Sequence, residues 1–384
     1  MSDPRPLAGL RVLDISRLLP GPFASMLLAD LGAEVIKVED PKAGDYLRVM
    51  PLSAPGQPNV VFEALNRGKK SVVLDLKKPA GREALLALVR TADVLLESFR
   101  PGVLARLGLG PDTLRDANAQ LITCAISGYG QDGPLKARAG HDLNYLARGG
   151  VLGMTGPAGG APQVPGVQLA DLSGGLYAVI AVLAELQGRA ARGEGRALDI
   201  SMCEASLSLG IFGLGLAAGG ALRPRGEDML MGGIAPYGTY RTRDGGFVAL
   251  AALEPKFWMA FCAGVGLTPD LADVRPGPHQ AARKAELASL FATRTRDEWA
   301  AFSEAHDCCL EPVLMPQELP GDPLHVARGV FEPRRLGDAE VSIPRTPVAP
   351  PAPGPAPEQG ADTEAVLRAA GVDVEALRAA GATR

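Results

Sequence analysis

Leu10-Arg11-Val12-Leu13-Asp14-Ile15, Pro20-Gly21-Pro22, a run of helical spacing over residues 23–31, and Val35-Ile36-Lys37-Val38 open the chain. The first and last segments are short, apolar and bounded by chain breakers, a pattern that predicts strands. The stretch between them carries apolar residues at helical spacing. A strand, a helix and a strand in so short a span form a βαβ unit, which requires parallel strands and a right-handed crossover.

The alternation continues down the chain. Residues 71–76, 94–96, 121–126 and 197–201 read as further strands, residues 80–91 as a helix, and a long apolar helix opens at Asp171 and runs to about residue 187. The expected fold class is α/β with an open, Rossmann-like sheet. The turn after the first strand is Ser16-Arg17-Leu18-Leu19-Pro20-Gly21-Pro22, without G-x-G-x-x-G, which argues against a dinucleotide. Neither a P-loop nor G-x-S-x-G occurs. Residues 220–320 change character. Segments 237–242 and 247–250 flank Asp244-Gly245-Gly246 like a hairpin, and helical patterns follow near 255–265, 280–292 and 296–305, which predicts a smaller α+β domain. Pro- and Ala-rich residues 344–357 predict an extended strap, and 363–370 and 374–380 two short helices.

With 384 residues the chain can build more than one domain. Its net charge of −4 gives no reason to expect nucleic acid or an anionic membrane as partner. The longest apolar stretch, residues 176–186, is short for a membrane span and holds Glu185, and no N-terminal signal pattern is seen, so the expectation is a cytoplasmic protein. The cysteines are five, without a C-x-x-C pair, and read as buried reduced thiols. His306 beside Cys308 and Cys309 raises zinc, but adjacent cysteines rarely ligate one ion, and no metal is expected.

Three residues could do chemistry. Asp171 precedes an apolar helical run, where an N-cap belongs, so capping competes with catalysis. His141 lies in Gly140-His141-Asp142-Leu143-Asn144-Tyr145; His279, His306 and His325 read as surface or packing residues. Glu254 ends an apolar strand and precedes Pro255, as a residue starting a helix does. An imidazole and a carboxylate can serve as opposed proton-transfer groups, with a second carboxylate to steady the imidazole. Arg17, Lys37, Lys77, Arg100, Arg106 and Arg138 fall at or near loop ends, where each is either a solvated charge or a contact for an anionic ligand.

At these residues the chain resembles the family III CoA-transferases (CaiB/BaiF), and within them the α-methylacyl-CoA racemase branch. The resemblance runs through Leu7-Ala8-Gly9-Leu10-Arg11-Val12-Leu13-Asp14, Leu31-Gly32-Ala33-Glu34-Val35-Ile36-Lys37-Val38-Glu39, Asn66-Arg67-Gly68-Lys69-Lys70-Ser71 and Glu97-Ser98-Phe99-Arg100-Pro101-Gly102. It implies a large CoA-binding domain built from both chain ends (1–195 and 320–384), a linker (196–222), a small domain (223–319), and two subunits interlocked as a homodimer. It implies catalytic roles for His141, Asp171 and Glu254, the last supporting the histidine. It implies CoA contacts from the segments holding Leu74 and Lys77, Phe99 and Arg100, Arg106, and Arg138 with Gly140, Asp142, Asn144 and Tyr145; Arg17 and Lys37 join them as loop-end cations. Two departures stand out. Asp40 occupies a position where several relatives place a nucleotide-contacting arginine, and Met231 one where close racemases carry an aspartate.

The reaction so implied is racemisation of a 2-methyl-branched acyl-CoA thioester. His141 and Asp171 act on opposite faces of the α-carbon, and backbone N–H groups near Asp171 and a Gly174-Gly175 turn hold the enolate. CoA is then part of the substrate and no separate cofactor is needed. The alternative is a CoA-transferase in which Asp171 attacks the thioester and passes through an aspartyl-CoA thioester; a CoA-binding protein without catalysis is the third reading.

Overall fold

The computed structural model describes residues 5–384. Two compact units form. One holds the described residues up to Arg148 with Val167–Ser208 and Pro323–Arg384; the other holds Gly149–Gly166 and Leu209–Asp322.

The first unit is built on six parallel strands, β1 (Arg11–Asp14), β2 (Glu34–Glu39), β3 (Lys70–Val73), β4 (Val94–Glu97), β5 (Ile122–Ser127) and β6 (Ala197–Ser201), in the order β3-β2-β1-β4-β5-β6. This order reverses direction between β1 and β4. In open α/β sheets such a reversal opens a crevice at the carboxyl ends of the strands. Leu13, Ile36, Val72 and Leu95 fill one layer of the core with Leu85 and Leu88 from the Pro79–Val89 helix. Strand β4 is buried throughout, as a central parallel strand covered on both faces should be.

Pro20-Gly21-Pro22 begins a helix, Pro20–Asp30, whose first turn needs no N–H from proline. The long helix, Leu169–Arg192, packs on it and on β5 and β6. Its length and composition would suit a membrane span. Here it lies against the sheet, and its last turn is tied by Arg189 to Asp93 at 2.8 Å and by Arg192 to Glu185. Gly174 and Gly175 lie inside this helix and not in a turn. A Cβ on Gly175 would meet the carbonyl of Pro20 at 2.8 Å and the Phe23 ring at 2.9 Å, so glycine here permits two helices to approach.

The C-terminal segment closes the β3 edge. Asp362 accepts the Ser71 N–H at 2.9 Å, Thr363 accepts the Val73 N–H at 3.1 Å, and the Thr383 hydroxyl donates to the Val73 carbonyl at 2.7 Å. Leu367, Val374 and Leu377 of the two terminal helices enter the same core. Upstream, the strap is held by Asp30, which accepts the Ala352 N–H at 2.7 Å and pairs with buried Arg67 at 2.7 Å. A hairpin, β10 (Phe331–Leu336) and β11 (Ala339–Pro344), precedes the strap and was not foreseen from sequence.

Residues 196–222, expected as a linker, hold β6 and the helices Met202–Leu209 and Ile211–Ala218; β6 completes the sheet at its far edge. The second unit carries an antiparallel sheet, β7 (Tyr237–Arg241), β8 (Phe247–Ala251) and β9 (Leu310–Pro312), in that order. Its core is aromatic: Trp258, Phe261, Phe291, Trp299 and Phe302 stack edge to face or offset at 4.7–6.2 Å. His306 stacks on Phe302 and its Nδ1 lies 2.9 Å from the Phe302 carbonyl, while Cys308 is buried in that core.

Because Leu367 is fully buried among residues of the sheet core, Leu367→Ala should lower the unfolding free energy by about 2–5 kcal/mol in urea denaturation. A loss under about 1 kcal/mol would mean that the C-terminal helices do not belong to the core they pack against.

Candidate functional site

A cavity of about 430 Å³ opens at the carboxyl ends of β1, β4 and β5. Arg17, Leu18 and Pro20 line it after β1, Ser98 to Pro101 after β4, and Ile126 to Gly128 at the end of β5. The loop before the next helix adds Lys136, Arg138, Gly140 and His141, and Asp171 and Met202 complete it. His141 and Asp171 therefore line one cavity, at the reversal point that the strand order dictates.

Asp171 is not the N-cap. The long helix begins two residues earlier, and Gln168 before it makes no side-chain cap bond. The cap comes from another segment: Asp142 Oδ1 accepts the N–H of Ala170 at 2.8 Å and of Asp171 at 3.1 Å. Asp142 thus satisfies two of the four N–H groups that a helix start leaves without partners. Asp171 keeps its own carboxylate for other use. Burial, and next the Asp142 charge, push that carboxyl up to about 7. A positive helix terminus would pull the other way, but desolvation of the charged form wins.

His141 is exposed and stands immediately before the Asp142–Arg148 helix. Asn144 fixes its backbone: the His141 N–H donates to Asn144 Oδ1 at 3.0 Å, and the Asn144 N–H donates to the His141 carbonyl at 2.8 Å. Tyr145 holds the preceding residue by donating its hydroxyl to the Gly140 carbonyl at 2.5 Å, and its ring lies edge-on to Tyr129. Burial and then the neighbouring Asp171 push the Tyr145 phenol up to about 12. A Cβ on Gly128 or Gly140 would strike the Tyr145 ring at 2.4 and 2.7 Å, so these positions require glycine for the ring to lie where it does.

The cavity also gathers cations. Arg100, Arg138 and Lys136 are exposed at it and, among the described residues, form no ion pair. Arg17 lies with its guanidinium 5.2 Å from the Tyr46 ring and 5.7 Å from the Phe99 ring. Lys136 was missed in the sequence, although it sits two residues before Arg138 in the same loop. Leu18, Ser98, Ser127 and Met202 carried no signal beyond their places at strand ends.

Several expected contacts lie elsewhere. Lys37 is wholly buried, paired with Asp45 at 2.8 Å and bonded to the Ser16 carbonyl, so it cannot meet a ligand. Leu74 is a core residue. Lys77 and Arg106 are exposed but do not line the cavity, and Asp142 is committed to the cap. Glu254 belongs to the second unit, exposed at the start of the Pro255–Val265 helix without a side-chain cap bond, and is not among the residues lining this cavity. Gly174 and Gly175, being inside a helix, give their N–H groups to no turn beside the site.

The profile of CoA-transferase family III matches residues 7–363. The chain is 39% identical over 329 residues to the α-methylacyl-CoA racemase of Homo sapiens, covering 85% of this chain and 82% of that protein. It is 38% identical over 261 residues to the succinyl-CoA:glutarate CoA-transferase of Homo sapiens, covering 67% of this chain and 59% of that protein. Among solved structures, a CaiB/BaiF family protein from Brucella suis superposes with a TM-score of 0.78 at 30% identity, over 95% of this chain and 99% of that one.

Two outcomes follow from the Asp142–Asp171 arrangement. The Asp171 carboxyl is raised above its ordinary value, so the residue costs stability where it must ionise: nothing below about pH 4, and the full amount above about pH 7. Asp171→Asn should therefore stabilise the protein at pH 8 but not at pH 4, as measured by urea midpoints at both values. Asp142→Asn keeps an acceptor for the two N–H groups while removing the charge, and should move the pH transition of Asp171 downward; an unmoved transition would mean that Asp142 does not act on it.

Proposed function

We propose that this chain, which belongs to CoA-transferase family III, is a racemase of 2-methyl-branched acyl-CoA thioesters. The reading rests on one observation: His141 and Asp171 line the same cavity, and neither is used up by the fold. Asn144 and Asp142 carry the backbone duties beside them. A carboxyl raised to about 7 is matched to giving and taking a proton near neutral pH.

In this reading the thioester lies with its α-carbon between the imidazole and the carboxyl. One group removes the α-proton and the other delivers a proton to the opposite face. The carbonyl oxygen carries the enolate charge between the two steps. The N–H groups of Asp142 and Leu143, which open the Asp142–Arg148 helix and among the described residues donate to no carbonyl, would serve that oxygen better than the internal N–H groups of Gly174 and Gly175. Arg100, Arg138, Lys136 and Arg17 would meet the phosphates of CoA. The protein would act as a homodimer; exposed Leu176, Tyr177 and Ile180 on one helix support self-association.

The second reading, a CoA-transferase, is favoured by the likeness to succinyl-CoA:glutarate CoA-transferase and by the open position of Asp171. There Asp171 would attack the thioester carbonyl, CoA thiolate would leave and then return to the aspartyl anhydride, and the acyl group would depart as a carboxylate.

The two separate in deuterated water with a chiral 2-methylacyl-CoA. Racemisation predicts deuterium at the α-carbon with loss of optical purity, and His141→Ala or Asp171→Ala should slow it by about 10²–10⁴-fold. CoA transfer to a free acid without α-exchange, with hydroxylamine trapping at Asp171, would replace the racemase reading by the second one.

A further inference from the structure

Leu18 adopts a left-handed conformation, φ +64°, which a leucine rarely takes and keeps only where its surroundings impose it. It sits in the turn of residues 16–19, which brings Arg17 and Leu18 to the cavity wall. Three contacts impose the turn. Asp45 Oδ1 accepts the Leu18 N–H at 3.2 Å, Lys37 Nζ donates to the Ser16 carbonyl at 3.1 Å, and Ser98 Oγ accepts the Arg17 N–H at 3.3 Å. Lys37 and Asp45 are themselves paired at 2.8 Å with no solvent exposure of either side chain. Their nearest charged company is already engaged: Glu39 holds Arg48 in a two-pronged pair and accepts the Asp45 N–H, while Asp14 faces Lys69.

The same carboxylate also organises the far side of Arg17. Asp45 Oδ1 accepts the Leu47 N–H at 3.0 Å and so opens the short Tyr46–Arg48 turn. Tyr46 then accepts a bond from the Arg17 guanidinium at its hydroxyl, 3.0 Å away, and offers its ring to it, with Phe99 beyond. Asp40, which follows β2, has its Oδ1 engaged by the Lys42 and Ala43 N–H groups. The cation lining the cavity on this side is Arg17.

We propose that the buried Lys37–Asp45 pair is a positioning device for Arg17. It fixes both the turn that carries Arg17 and the tyrosine that holds its guanidinium, and so sets the charge that meets the polyanionic end of the ligand. This rests on the reading of the cavity as a CoA site.

The test is a double-mutant cycle on CoA affinity, measured by calorimetry with CoA itself as the probe. Arg17→Ala should weaken binding roughly tenfold or more, the scale of a lost charge-assisted contact. Asp45→Asn should weaken it comparably, raising KM for the acyl-CoA but leaving kcat unchanged. In the double variant the loss should be no greater than in Arg17→Ala alone, since Asp45 acts through Arg17. Asp30→Asn breaks the comparable buried pair with Arg67 away from the cavity, and should lower Tm without altering CoA affinity. Additive losses, or an Asp30→Asn variant that loses as much affinity as Asp45→Asn, overturn the proposal. A measurement free of CoA separates it from its premise: trypsin should cut after Arg17 faster in Asp45→Asn than in Asp30→Asn. If the wild type fails to bind CoA, the reading of the cavity falls, while that cleavage difference still upholds the positioning role; equal cleavage overturns it.

Discussion

A carboxylate that caps a helix cannot also serve as a freely titrating acid, and the site depends on how the chain divides these two tasks. Asp142 takes the N–H groups of Ala170 and Asp171, and among the described residues Asp171 is left beside the cavity with no ion-pair partner. The cap supplies its own electrostatics. A second negative charge close to a partly buried carboxyl makes ionisation harder still. Asp142 therefore caps the long helix, joins the His141 loop to it, and adds its charge to the burial that already raises the Asp171 carboxyl.

The other buried acids of the first unit show the contrast. Burial works against the charge on Asp14 too, but Lys37, Lys69 and the Ser16 and Ser25 hydroxyls prevail and hold it down to about 2. Asp30 faces Arg67, Asp45 faces Lys37, and Glu39 faces Arg48. Among the described residues, Asp171 and Glu97 have no such partner. Burial, with Asp199 nearby, takes Glu97 up to about 7 despite the bond it accepts from the Phe99 N–H at 2.6 Å. An acid held by a cation keeps its charge near neutral pH, whereas the two without one are those whose protonation can change there.

Much of the parallel sheet was legible because its signals are local. Apolar runs bounded by Gly and Pro located β1, β2, β4, β5 and β6, each within a residue or two of its observed ends. The candidate pair His141 and Asp171 was singled out through a resemblance, and each residue on its own read more readily as structural. What failed to show in the sequence is long-range. The helix cap on Ala170 comes from a residue 28 positions away, so Asp171 itself looked like the cap. Lys37 resembled a loop-end cation because nothing near it announces that Asp45 will bury it. Gly174-Gly175 suggested a turn, although in place Gly175 serves the approach of Pro20 and Phe23 and Gly174 that of Met202. Strand β9 and the β10–β11 hairpin are short or half-exposed and carry weak periodicity.

The seal that Asp362, Thr363 and Thr383 place on β3 also orders events in time. A polypeptide emerges from the ribosome amino end first, and β1 to β5 are all synthesised before the residues that cover the sheet's open side. Until Asp362, Thr363 and Thr383 have been made, the nascent sheet presents unsatisfied backbone groups along Ser71 and Val73, the kind of border at which newly made chains associate wrongly. Closure of this edge therefore has to wait for residues that are made some 290 to 310 positions after β3.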